Sequence, residues 1–179
     1  MTKIRFAAVV LFLLVFAAGC RSGAKPVNNP GAGQTGQSQS ALKAQRPITA
    51  PDTFLTLYKQ WDGSLASLAG EIDDSYNKWS SNQISRQEFL AQLYATQQKL
   101  ETLKMDADYQ NFELSANDQQ TINSQAINRA YFTAEKDVND FLYYAPHLQD
   151  EKIKARYNDL ILNQYTSNNK ELQALLGKQ

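Results

Sequence analysis

His147 is the single histidine of this 179-residue chain and Cys20 its single cysteine, which restricts the available chemistry at once. A carboxylate-bridged dimetal centre in a helical bundle needs Glu-x-x-His on two helices, and the residue three before His147 is Tyr144. Zinc catalysis rests on at least one histidine with two or more further ligands, and none is spaced around His147. Its place directly after Pro146 reads as a turn or capping position, with pH sensing as the alternative. Asp106, Asp108 and Gln110 open like a calcium loop, but Asn111 stands where that loop needs glycine and Asn117 where it needs its bidentate glutamate. Asp73-Asp74 reads as a solvated helix face. No Gly-x-Ser-x-Gly, phosphate loop or dinucleotide fingerprint occurs. Paired carboxylates could serve glycoside hydrolysis, but a slim helical rod offers them few clefts. The chain reads as a non-enzyme with no metal and no cofactor.

Aromatic side chains have more to offer. All nine tyrosines and both tryptophans fall in 51–179. Trp61 and Trp79 sit on one apolar stripe with Tyr58 and Tyr76, which makes them core residues. The alternative is a partly open bundle whose aromatic interior, lined by Trp61 and Trp79, holds a small molecule or peptide. Tyr143 and Tyr144 are a different case. Neighbours on a helix point about 100° apart, so both cannot enter one seam, and an exposed tyrosine at a helix end is a natural contact for a protein partner.

The elements that must position these residues are helical. Phe54, Tyr58, Trp61, Leu65, Leu68, Ile72, Tyr76 and Trp79 recur in steps of three and four, which predicts a long helix with one apolar face. Thr49 with Asp52 offers its N-terminal cap, and Pro51 is tolerated in a first turn. Gly63, Ala66, Ser67 and Gly70 place small side chains beside the stripe, either for close packing or for a bend. Ser85 and Glu88 have the spacing of a capping box, and Ile84 and Phe89 that of a hydrophobic staple. The second stripe continues through Leu93, Thr96, Leu100, Leu103 and Ala107.

Ser115 with Asp118 predicts a third start, followed by Ile127, Tyr131, Ala134, Val138, Phe141 and Ala145, until Pro146 ends or kinks the helix. Ile153, Tyr157, Leu160, Ile161, Tyr165, Leu172, Leu175 and Leu176 mark a fourth helix, which Gly177 terminates. No stretch alternates with period two. The predicted fold is all-α: an antiparallel four-helix bundle over 51–179, simplest in up-down-up-down order. Phe54/Phe89, Leu55/Leu90, Leu65/Leu100 and Leu68/Leu103 share one spacing, so a duplicated hairpin is an open option.

Charge is divided unevenly along the chain. Residues 51–179 hold all 18 acidic residues against 12 basic ones, a net −6, while 1–50 hold six basic residues and no acid. An acidic domain is a poor nucleic-acid binder, because phosphate affinity comes largely from Lys and Arg. Residues 20–50 are rich in Gly, Pro, Ser, Asn and Gln with almost no large apolar side chains. Such a stretch cannot bury enough surface to offset its ordering entropy, and it reads as a flexible tether of about 30 Å root-mean-square span.

Residues 1–19 carry Lys3 and Arg5, an apolar run of 13 residues from Phe6 to Ala18, and then Gly19-Cys20. A membrane-spanning helix needs about 20 apolar residues. The charged, apolar and small-residue zones are those of a secretory signal. A signal whose small residues Ala17-Ala18-Gly19 run directly into a cysteine resembles the lipobox of bacterial lipoproteins, with Ala17 where leucine is commonest. The resemblance covers residues 1–20. It implies cleavage after Gly19, acylation of Cys20 (diacylglycerol and an amide-linked fatty acid such as palmitate), and anchorage to membrane lipid outside the cytoplasm. Arg21, where an aspartate would signal inner-membrane retention, points to the outer membrane in a Gram-negative host; in a Gram-positive one the site is the outer face of the cell membrane. The function implied is an accessory or protein-interaction lipoprotein with an envelope protein partner. The alternative is a ligand-binding or sensor bundle.

Overall fold

The computed structural model describes residues 46–177. The signal segment, the cleavage position Gly19, the lipidation position Cys20 and the tether up to residue 45 lie outside the described residues. Within them the chain is helical, with no β-strand. It forms α1 (Pro51–Ser80), α2 (Arg86–Asp108), α3 (Ala116–Thr121), α4 (Ser124–Tyr144), a 3-10 turn (Ala145–His147), α5 (Asp150–Arg156), a π-helical segment (Tyr157–Tyr165) and α6 (Thr166–Gly177).

α1 begins one residue later than the Thr49 cap predicts. Its N-cap is Ala50, extended at φ −88 and ψ 124, with no side-chain cap bond. Pro51 explains this, because a residue preceding proline is driven out of the helical region. Order also begins before residue 51. The Ile48 N–H donates to the Asn111 carbonyl at 2.7 Å and the Glu113 N–H to the Ile48 carbonyl at 3.0 Å. The end of the predicted tether is therefore paired to the loop after α2. The α1 stripe is buried as its spacing predicts except at Tyr76, which is half-buried, and Leu65 and Ile72 are fully inaccessible. Gly63 and Gly70 face open space, with no atom within 4 Å of where a Cβ would stand. The close-packing option fails at both glycines, and α1 runs unbroken through them.

Capping fixes the start of α2. The Glu88 N–H donates to Ser85 Oγ at 3.2 Å and the Ser85 N–H to Glu88 Oε2 at 2.8 Å, which completes the capping box. α1 and α2 then pack along their length. Trp79 stacks on Phe89 with ring centres 4.7 Å apart, and Lys99 Nζ reaches Glu71 Oε1 at 2.6 Å.

The predicted third helix is two. Ser115 caps α3 by accepting from the Asp118 N–H, but α3 buries no side chain. The chain then turns at Asn123, whose φ of 52 is a left-handed conformation that asparagine tolerates, before α4 begins at Ser124. The turn lets Ile122, 5% exposed, join the core. Residues 150–177 are continuously helical. Their middle is a nine-residue π-helical segment, longer than the single-turn bulges in which this geometry usually occurs. Asp73, read as solvated, instead accepts a hydrogen bond from the Tyr157 hydroxyl. Asp74 does face water, paired with Lys78.

The Candidate functional surface

Pro146 cannot continue α4, because it lacks an N–H and its ring clashes with the preceding turn. The chain tightens into the 3-10 turn, and Ala145, wholly inaccessible, plugs the core. That turn leaves the two preceding tyrosines outside. Tyr143 is 57% and Tyr144 45% exposed. Their rings meet edge to face with centres 5.0 Å apart, and His147 lies 6.2 Å from Tyr143. The Arg156 guanidinium stands 5.8 Å from the Tyr144 ring centre, within the range of cation–π attraction.

Beside this patch Arg86, Pro146, His147 and Leu148 border an open cleft of about 580 Å³. Arg86 ties the start of α2 to the turn after α4: its Nε donates to Asp150 Oδ1 at 2.9 Å and its Nη2 to the Leu148 carbonyl at 2.8 Å. An exposed pair of this kind contributes at most about 1 kcal/mol. It orders the rim of the cleft more than it stabilises the fold. The patch offers two aromatic faces, an imidazole and two guanidinium groups. Among the described residues no group of three or more His, Cys, Asp and Glu side chains could hold a metal ion.

Trp61 and Trp79 lie elsewhere. Both are buried, at 3% and 8% exposure. Trp61 donates its Nε1–H to Asp106 Oδ2 at 2.8 Å and packs against Tyr58, Phe112 and Tyr131 at ring-centre distances of 5.0, 6.2 and 5.8 Å. Neither indole lines any of four clefts found among the described residues. A small cleft of about 180 Å³ does open at the edge of the aromatic cluster, between Phe54, Phe112, Ser124 and Asn128. Asn128 Oδ1 accepts from the Tyr58 hydroxyl at 2.9 Å, and burial pushes that phenol up to about 12.

Phe112 completes this cluster and escaped the periodicity argument, because it lies with the buried Leu114 in a loop outside any helical stripe. The sequence signal for it was a pair of apolar residues, Phe112 and Leu114, two positions apart between two helices. Deeper in, Glu135 is 8% exposed, and desolvation raises its pKa although Lys104 Nζ stands 3.9 Å away. Asp137 is likewise raised by desolvation, against a 2.7 Å hydrogen bond from Asn168.

No protein-family model matches the chain. No curated protein and no solved structure matches it either.

Proposed function

We propose that this chain is a lipid-anchored extracytoplasmic lipoprotein whose helical domain serves as a non-enzymatic accessory, docking another envelope protein through Tyr143 and Tyr144. The observation that carries the reading is the exposure of two adjacent aromatic rings at a helix end, with Arg156 over one ring and Arg86 bonded to the Leu148 carbonyl beside them. Tyrosine and arginine are enriched where interfaces draw most of their energy, since each buries much area at small entropic cost. Anchorage at Cys20 rests on the lipobox-like end of the signal. Among the described residues no helix is long and apolar enough to cross a membrane.

An antiparallel four-helix bundle in up-down-up-down order is part of the same reading. Cross-helix pairs support it: Glu71 with Lys99 and Trp79 with Phe89 descend on one helix as they ascend on the next. Lys104 with Glu135 and Arg86 with Asp150 repeat that sense. The order leaves α4's C-terminal end, with its tyrosines, at an end of the domain. A second reading, a small-molecule or peptide sensor, is favoured only by the cleft at Phe54 and Phe112.

Affinity isolation from native envelopes tests the docking reading. Tyr143→Ala/Tyr144→Ala should lose a protein that the unaltered chain retains, at unchanged helicity. Equal recovery by both chains would remove this surface from the account.

A further inference from the structure

Residues 111–114 cross the aromatic cluster at the start of α1. The Phe112 ring centre stands 5.0 Å from that of Phe54, 6.0 Å from Tyr58 and 6.2 Å from Trp61. Those three side chains are buried, while Phe112 is half-buried. Its ring therefore lies between the cluster and water. An irregular segment in such a place needs ties, because no helix satisfies its backbone groups. Among the described residues, the backbone–backbone bonds of 111–114 are two, and both go to Ile48: its N–H donates to the Asn111 carbonyl at 2.7 Å, and its carbonyl accepts from the Glu113 N–H at 3.0 Å. Ile48 and Phe112 are thus partners in a parallel bridge. The end of the loop is held separately. Gln119 Nε2, on α3, donates to the Leu114 carbonyl at 2.8 Å, and the Leu114 side chain is buried.

The place of Ile48 in the chain decides what can act on this tie. Arg46, Pro47, Thr49 and Ala50 around it are exposed, and Ile48 alone is half-buried. Pro47 has no N–H with which to extend the pairing. A pull on the chain before residue 46 meets Ile48 three residues before it meets α1 at Pro51. Two backbone hydrogen bonds, each contributing little net stability beside water, take that pull first.

We propose that residues 46–50 are a releasable strap that latches the Phe112 loop as a lid over Phe54, Tyr58 and Trp61. With the strap displaced, the loop keeps its attachment at Leu114 but loses both backbone ties beside Phe112. The ring then leaves the cluster, and an aromatic surface opens next to the cleft of about 180 Å³ that Phe54 and Phe112 border. α1 and α2 stay packed, because the lost bonds are not theirs. On the lipoprotein reading proposed above, the pull comes from the membrane anchor, and exposure of this surface reports how far the domain is drawn from the membrane. The latch itself involves residues 46–50 and 111–114 alone and stands apart from that reading.

Native-state hydrogen exchange on the full chain in detergent, read by mass spectrometry at a series of low urea concentrations, tests the latch whether or not the chain is acylated. In the unaltered chain the strap and residues 109–114 should open together, in one local step that urea does not accelerate, while α2 stays closed. Ile48→Pro removes the donor to Asn111. It should speed exchange in 109–114 by about tenfold, the worth of one hydrogen bond, and leave residues 89–100 within about twofold of the unaltered chain. Phe112→Ala should speed exchange in the strap by a similar factor, since coupling between two sites is reciprocal. Trp79→Phe leaves Trp61 as the single tryptophan, and adding Ile48→Pro to it should raise acrylamide quenching of Trp61. Separate opening of strap and loop in the unaltered chain would overturn the proposal. So would unchanged exchange of 109–114 in Ile48→Pro, or an equal rise throughout α2, which would make Ile48 a support of the whole fold.

Discussion

Replacing Trp61 by phenylalanine separates a packed interior from a binding chamber. Trp61 is 3% exposed and surrounded by Tyr58, Phe112 and Tyr131. Phenylalanine removes about three ring atoms from that space; at roughly 0.8 kcal/mol per buried methylene-sized group, about 2 kcal/mol is lost. The substitution also removes the 2.8 Å bond from Nε1 to Asp106 Oδ2. A hydrogen bond to a charged group contributes about 1.5–3 kcal/mol when both partners are buried. Asp106 is exposed, so water reclaims its oxygen and about 1 kcal/mol remains.

The expected total is about 3 kcal/mol, roughly a hundredfold in the folded-to-unfolded ratio. Urea unfolding followed by far-UV circular dichroism measures it as a lower midpoint at unchanged slope. Asp106→Ala alone should cost about 1 kcal/mol, and the double variant should fall short of the sum by about that amount. A Trp61→Phe cost below about 1 kcal/mol would refute the packing argument and revive Trp61 as the wall of an open chamber.

Three further outcomes are expected. Ser85→Ala should destabilise the domain by about 1 kcal/mol in the same assay, since it leaves the Glu88 N–H without its side-chain acceptor. Glu135, Asp137 and Asp62 have pKa values raised by desolvation, so the folded state holds their protons more tightly than the unfolded chain does. Their contribution is therefore fully present below the ordinary carboxylate values of 3.8 and 4.5 and is lost as pH rises through the higher folded values. Glu135→Gln should raise the urea midpoint at pH 7 and flatten its fall between pH 4 and neutrality; an unchanged profile would remove Glu135 as a cause. Cys20→Ala should release the chain from the membrane fraction into the soluble one, and membrane retention would count against acylation.

Local order was the legible part of this molecule. The stripe from Phe54 to Trp79 and the Ser85–Glu88 box each rest on neighbours three or four residues away, and both fold as their spacing predicts. The break at Asn123 was not legible, because α3 buries nothing and so leaves no apolar period to read. The π-helical segment was hidden for a related reason: Tyr157, Leu160, Ile161 and Tyr165 suit α-helical steps equally well. Pairs such as Asp73 with Tyr157 and Trp61 with Asp106 join residues 84 and 45 positions apart, and local periodicity does not choose long-range partners. Tyr143 and Tyr144 stood out because two adjacent aromatic residues before a proline cannot both enter a narrow seam. Both are outside it.

The docking surface is the central claim, and site-specific photocrosslinking in the native envelope addresses it most directly. A photoreactive phenylalanine analogue at position 144 should give one dominant protein adduct on irradiation. The same group at position 109, where Tyr109 is 71% exposed but far along the chain from the patch, should not give that adduct. The same adduct from both positions, or no protein adduct from position 144, would contradict the account.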